Sequence, residues 1–501
     1  MTGVGVTTQA GVVRGRRVRT GDTEVHAFLG IPYAAPLVGA ARFAPPGPVE
    51  PWDGERSATE HGPTPPQGPY PPPTSELLPS VIVEGDESLN LSVWTPDPGA
   101  SGLPVMVWIH GGAFVRGTHR LATYDGAAFA RDGVVMVGVN YRLGALGFLS
   151  LPGAPDNRGL LDQIAALAWV QANIAAFGGD PDRVTVFGES AGAMSIAALL
   201  ASPAAEGLFT RAILQSGNGI SAADVADARL VTSEFTETFS LPPTVTGVAD
   251  LETAQLQRAQ DAVAAMVVGD PNPHRWGASI MARGLGVMSL FPTIDGTVLP
   301  ALPIDAIRAG AGRGVDILAG TTRDEMRFFL VPSGLAGMVT AEMLPALLTR
   351  FGVDPDAAAP YLANRPDESP GDVLCSVLTD HAFRAPTADV VDAVVAGGAS
   401  AWQYEFAWRT PVRDLRACHA LELAFVFDNL GGSAALTGDA PPQALADEMH
   451  ATWVRFATTG DPGWDRVGDT RPVRTFGDAD LEVDAVVVDP RADELAAVRH
   501  P

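Results

Sequence analysis

Five consecutive residues, Gly188-Glu189-Ser190-Ala191-Gly192, carry the first chemistry the chain offers. The β-branched run Val184-Thr185-Val186, with Phe187, precedes them, and an Ala-, Ile- and Leu-rich segment from Ala191 to Ala201 follows. This pattern predicts strand, sharp turn, helix, with a serine at the turn. The glycines stand two residues to either side, where so tight a turn has no room for side chains. A serine hydroxyl is a poor nucleophile at neutral pH. It needs a base to take its proton and a third group to orient that base. It also needs donors where negative charge develops on a substrate carbonyl.

Donors are offered by Gly111-Gly112-Ala113, directly after the apolar run Val105 to Ile109. Small residues there let backbone N–H groups approach a substrate oxygen, and Trp108 and Phe114 would wall the pocket. With the N–H of Ala191, those of Gly112 and Ala113 would make a three-donor oxyanion hole. A serine on a strand–turn–helix elbow is followed along the chain by the acid and then the histidine. The acid is sought in the loop after the strand Val315 to Ala319, where Asp324 and Glu325 stand side by side. Composition does not choose between them, and either could instead pair with a nearby arginine. The histidines that follow are His381, His419, His450 and His500. His450 falls on a C-terminal helix, His500 in the tail, and His381 in a segment of helical character. His419 lies in a loop before the apolar stretch Leu421 to Phe427, and order and setting favour it.

These side chains need a scaffold that brings distant strand ends together. Asn90–Trp94, Val105–Ile109, Val134–Asn140, Val184–Phe187, Ala212–Ser216, Val315–Ala319 and Ala401–Phe406 read as strands. Leu160–Ala175, Ala191–Ala201 and Ala444–Thr459 read as helices, the first of them stopped by Gly178-Gly179-Asp180-Pro181. Continuous apolar strands alternating with helices imply an α/β fold with a mainly parallel sheet covered on both faces. The N-terminal section, Gly3 to Val25, reads as short strands in a hairpin. Ala44 to Pro79 is proline-dense, and we expect an ordered surface excursion anchored by Trp52 and Tyr70. Ser221 to Ala282 has helical composition without a sheet signal, and we expect an inserted cap. There is no internal repeat and no linker, so residues 1–501 are expected to form one domain, with helical inserts at roughly 221–314 and 331–400.

Composition narrows the partners. With 33 basic and 58 acidic residues the formal charge is −25, which argues against nucleic acid or an anionic membrane as partner. Every basic side chain is arginine. Two cysteines, Cys375 and Cys418, cannot make a disulfide framework and fit a reducing compartment, or one where disulfides are not needed. No apolar h-region precedes the first arginines, and no uninterrupted apolar stretch reaches membrane-spanning length. A cytoplasmic protein is expected.

The chain as a whole resembles the type-B carboxylesterases, relatives of cholinesterases and bacterial para-nitrobenzyl esterases. The resemblance runs from Gly11 to about Asp461. It is densest at Phe28-Leu29-Gly30-Ile31-Pro32-Tyr33-Ala34, at Trp108 to Phe114, at Asn140-Tyr141-Arg142-Leu143-Gly144, and from Asn157 through Gly192. It implies the α/β-hydrolase fold. It also implies Glu325 as the acid, His419 as the base, and Gly112, Ala113 and Ala191 as the oxyanion donors. The reaction implied is ester hydrolysis through an acyl-enzyme at Ser190, on a small-molecule ester, with no cofactor and no metal; the sequence leaves monomer and homodimer both open. Carbamate, lactone or amide hydrolysis would use the same residues, and a non-catalytic binding member of the fold is the remaining alternative. The chain departs from the family in having Met326 after the acid and Ala420 after the histidine, where glycine is usual. Ser88 replaces an early cysteine, and Ser75 to Glu84 lacks the tryptophan of choline-binding relatives.

Overall fold

The computed structural model describes residues 3–480 and 485–499. His500 lies outside the described residues. Among the described residues eleven strands form the central sheet: β1 (Arg16–Thr20), β2 (Thr23–Pro32), β3 (Asn90–Thr95), β4 (Leu103–Ile109), β5 (Val135–Val139), β6 (Gly179–Glu189), β7 (Arg211–Gln215), β8 (Asp316–Thr322), β9 (Ala401–Phe406), β10 (Pro472–Phe476) and β11 (Val486–Val488). From edge to edge the order is β11-β10-β9-β8-β7-β6-β4-β5-β3-β2-β1. The neighbours from β10 to β5 pair in parallel. The flanking pairs β10–β11, β5–β3, β3–β2 and β2–β1 are antiparallel.

Burial on both faces accounts for the unbroken apolar runs. All of β5 and all of β9 are buried. Along β4, Val105, Val107 and Ile109 enter one core while Met106 and Trp108 enter the other, as the two-residue period of a strand requires. Helices α1 (Arg158–Asn173) and α2 (Ala191–Ala201) cover the first face, and α3 (Gln443–Thr459) covers the second through Met449, Trp453 and Phe456.

The helical stretch Arg158–Phe177 is long and apolar enough to cross a membrane by length and composition, although Arg158 and Asp162 interrupt its apolar run as the sequence shows. More than half of it is buried against the sheet, where a parallel sheet demands an apolar helix. The turn that ends it is narrower than expected. Gly178 alone takes the left-handed conformation, at φ 88°, while Gly179 already pairs with Leu103 at the start of β6. The proline-dense excursion is ordered: Glu55–Ser57 adds to a small sheet with Gly5–Thr7 and Val12–Arg14, and Trp52 Nε1 donates to Val12 O at 3.0 Å. The region expected to be purely helical carries one short parallel pair, Ala223–Asp224 with Thr293–Ile294. Two-residue strands are too short to leave a periodic signal.

One buried ion pair ties the sheet to α1. Arg142 follows β5 and Asp162 lies on α1, and both side chains are fully buried. Nε and Nη2 of Arg142 reach the two carboxylate oxygens at 2.8 and 2.7 Å, and Nη1 donates to Ala44 O at 2.6 Å. We predict that Asp162→Ala, which strands the guanidinium, costs about 3–5 kcal/mol. Urea unfolding checks this: the midpoint falls while the slope stays unchanged.

Candidate functional site

Close backbone approach explains the glycines around Ser190. A Cβ on Gly192 would stand 2.0 Å from Ile109 O, and one on Gly188 2.7 Å from the same oxygen. Strand β4 therefore runs against the turn after β6, and only glycine lets it. Ser190 sits between them at φ 54°, ψ −123°, capping α2. This left-handed backbone costs on the order of 1–3 kcal/mol and is held by packing. Its N–H is bonded to Gln215 O at the end of β7, 2.9 Å away.

The loop after β4 folds back on itself, with Val115 and Arg116 both donating to Gly112 O at 3.1 and 3.0 Å. Gly112 has φ 109° and Ala113 φ 54°. The N–H groups of Gly112 and Ala113 have no backbone partner among the described residues. The N–H of Ala191, first residue of α2, has none within its helix. Gly111, Gly112, Ala113 and Ser190 line one cavity of about 380 Å³, and His419 lines it too.

Of the two adjacent acids, Glu325 reaches the histidine. Its Oε2 lies 2.5 Å from His419 Nδ1, and its Oε1 accepts from Ser216 Oγ at 2.6 Å and from the Thr322 N–H at 2.8 Å. It is fully buried. Asp324 faces away and bonds the Ala417 N–H. Among the other histidines, His450 is buried on α3, with Nδ1 2.8 Å from Val426 O and Nε2 3.1 Å from Asp132. His381 lies in a π-helical turn, Asp380–Arg384, and does not line the cavity. Cys375 and Cys418 are both buried and free.

Several groups escaped the sequence reading. Glu189 lies 3.1 Å from His419 Nε2 by its Oε1, an ion-pair distance without hydrogen-bond geometry. Gln215 Nε2 donates to a third buried carboxylate, Glu422, at 3.1 Å, and Trp453 Nε1 donates to Gln215 Oε1 at the same distance. A charged residue among the small residues of the turn was the visible signal for Glu189. An acid inside the apolar stretch Leu421 to Phe427 was the signal for Glu422. Three rings, Phe328, Phe329 and Phe383, stand with centroids 6.1, 5.3 and 5.0 Å from that of the imidazole.

The electrostatics follow from this crowding. Burial opposes charge on His419, but the carboxylates of Glu189 and Glu325 more than offset it and hold its pKa above the ordinary histidine value. Burial pushes Glu189 up, against the pull of His419. Burial and the charges of Glu189 and Glu325 push Glu422 up as well. Burial and like charge thus oppose ionising all of these carboxylates at once, while negative charge on them favours a proton on the ring. Met326 and Ala420 both line the cavity, and Ala420 holds a left-handed φ of 65°.

The family model of the carboxylesterases matches residues 3–474. Para-nitrobenzyl esterase of Bacillus subtilis (strain 168) is 38% identical over 488 residues, covering 92% of this chain and 91% of that protein. Fumonisin B1 esterase of Sphingopyxis macrogoltabida is 35% identical over 501 residues, covering 94% and 86%. Among solved structures, a carboxylesterase of Geobacillus stearothermophilus superposes with a TM-score of 0.83 at 36% identity, over 99% of this chain and all of that one. A para-nitrobenzyl esterase superposes at 0.82 with 33% identity, over the whole of both chains. With the strand order, the turn at Ser190 and these matches together, the chain belongs to the carboxylesterase family and is a carboxylic ester hydrolase of the α/β-hydrolase fold.

Proposed function

We propose that Ser190, His419 and Glu325 form the catalytic triad, and that the N–H groups of Gly112, Ala113 and Ala191 form the oxyanion hole. The observation that carries this is the 2.5 Å contact of Glu325 with His419 Nδ1, at the wall of the cavity into which the strained turn presents Ser190. Glu325 keeps Nδ1 protonated, which leaves Nε2 to accept the serine proton. The alkoxide attacks the ester carbonyl, and three N–H groups meet the oxyanion. His419 then returns the proton to the leaving alcohol. Water, activated by the same Nε2, hydrolyses the acyl-enzyme in the reverse sense.

The substrate we infer is a small neutral ester with an apolar acyl or alcohol group. Support comes from walls built by Leu78, Leu121, Met288, Phe328, Phe329 and Leu423. Relatives named for a para-nitrobenzyl ester, for fumonisin B1 and for phenmedipham show how far substrates diverge on this scaffold. Free thiols at Cys375 and Cys418 support a reducing, cytoplasmic setting.

Four measurements test this reading. Ser190→Ala is expected to lower kcat on nitrophenyl esters by about 10⁴–10⁶-fold, and wild-type rates would remove Ser190 from its role. Acidification is expected to lower kcat/KM, because a protonated His419 cannot accept the serine proton. Glu189→Gln withdraws one of the three carboxylates that stabilise the imidazolium. The His419 pKa falls, so the acidic limb of the kcat/KM profile moves to lower pH, and a limb that stays put or rises contradicts the assignment. Met326→Ala is expected to raise kcat/KM for long-chain acyl esters relative to acetates, read from a graded ester panel. Adding carbamates and lactones to that panel separates the bond classes.

A further inference from the structure

The loop that carries His419 is strained. Arg413, Asp414, Arg416 and Ala420 all hold left-handed backbone, at φ 47°, 53°, 54° and 65°. Each such residue costs on the order of 1–3 kcal/mol and persists only where its surroundings over-determine it. The surroundings here are the loop that carries Glu325. Asp324 and Ala417 bond each other in both directions: Asp324 N–H donates to Ala417 O at 2.8 Å, and Ala417 N–H donates to Asp324 Oδ2 at 3.3 Å. Arg327 grips the same loop two residues past the acid. Its Nε donates to Asp414 O at 2.8 Å and its Nη2 to Asp414 Oδ2 at 2.6 Å. Asp324 and Arg327 are both buried, and Arg327 N–H donates to Asp324 O at 3.0 Å, which closes the bracket on its own side. Arg327 is further held by Asp372, and the N–H of Met326 by Thr379 Oγ1 at 3.1 Å.

We propose that Asp324 and Arg327 are positioning residues: a two-point clamp that straddles Glu325 and locks the strained loop so that His419 Nδ1 meets the Glu325 carboxylate. The reasoning rests on the triad assignment above. The clamp explains why two acids stand side by side after β8. One orients the imidazole directly, and its neighbour holds the backbone from which the imidazole hangs. Asp324 attaches two residues before His419, so slack at Ala417 passes almost undiminished to the ring.

Asp324→Ala removes the acceptor of the Ala417 N–H, whereas Asp324→Asn keeps an oxygen in the same place without the charge. A misplacement of about 1 Å in a catalytic group costs on the order of 10²-fold in rate. We expect Asp324→Ala to lower kcat by about 10- to 100-fold with KM little changed, and Asp324→Asn to recover most of that loss. Rates are normalised to active sites counted with an organophosphonate. If Asp324→Ala does not fold, Asp324→Glu carries the test. It keeps the charge but moves the acceptor by one methylene, and kcat should again fall while KM holds.

Glu325→Gln is run in parallel and should lose on the order of 10⁴-fold. Full activity in Glu325→Gln would sink the triad assignment itself. Loss in Glu325→Gln with kcat preserved in Asp324→Ala or Asp324→Glu overturns the clamp alone. So does an Asp324→Asn variant as slow as Asp324→Ala, since charge rather than the bond to Ala417 would then matter.

Discussion

The carboxylate of Glu325 is the point on which the site converges. Its two oxygens take a hydroxyl from the end of β7, a backbone N–H from the end of β8, and the imidazole from the loop beyond β9. A fully buried carboxylate is tolerable only when such partners meet it. The parallel order β7-β8-β9 is what places those chain segments within a side chain's reach of one another. Sheet, turn and loops thus serve one requirement, that a charge in an apolar wall never lacks donors.

Around that carboxylate the protein concentrates acidity. Glu189 and Glu422 share the neighbourhood of His419 with Glu325; burial raises the proton affinity of both, and negative charge on any of the three raises that of the imidazole. In acyl transfer the imidazole becomes positive as the tetrahedral centre becomes negative. On the proposed triad, a ring surrounded by carboxylates would lower the cost of the first event, and the backbone N–H groups of Gly112 and Ala113, without a backbone partner among the described residues, would lower the cost of the second. The Phe328, Phe329 and Phe383 rings keep solvent from screening these charges.

How much of this was legible differs residue by residue. The turn at Ser190 was legible because its glycines answer a local constraint, the approach of Ile109 O, that no other residue meets. The parallel strands were legible because burial on both faces leaves an apolar run without alternation. The narrower turn at Gly178 and the short pair Ala223–Asp224 with Thr293–Ile294 were misread. Each depends on what packs opposite, and composition within a window carries no record of that.

By itself the sequence pointed to the reaction type: a serine on a strand–turn–helix elbow, small residues after an apolar strand, and acids and histidines downstream in the order that acyl transfer at a serine would need. Residue by residue it left Asp324 and Glu325 equivalent, and the likeness to carboxylesterases separated them only by analogy. Tertiary structure decided between them physically. In the turn after β8 both carboxylates are buried, but one meets His419 at the cavity wall and the other holds the N–H of Ala417. Which side is the cavity is set by strands hundreds of residues apart in the chain, and that information exists only once the sheet has formed.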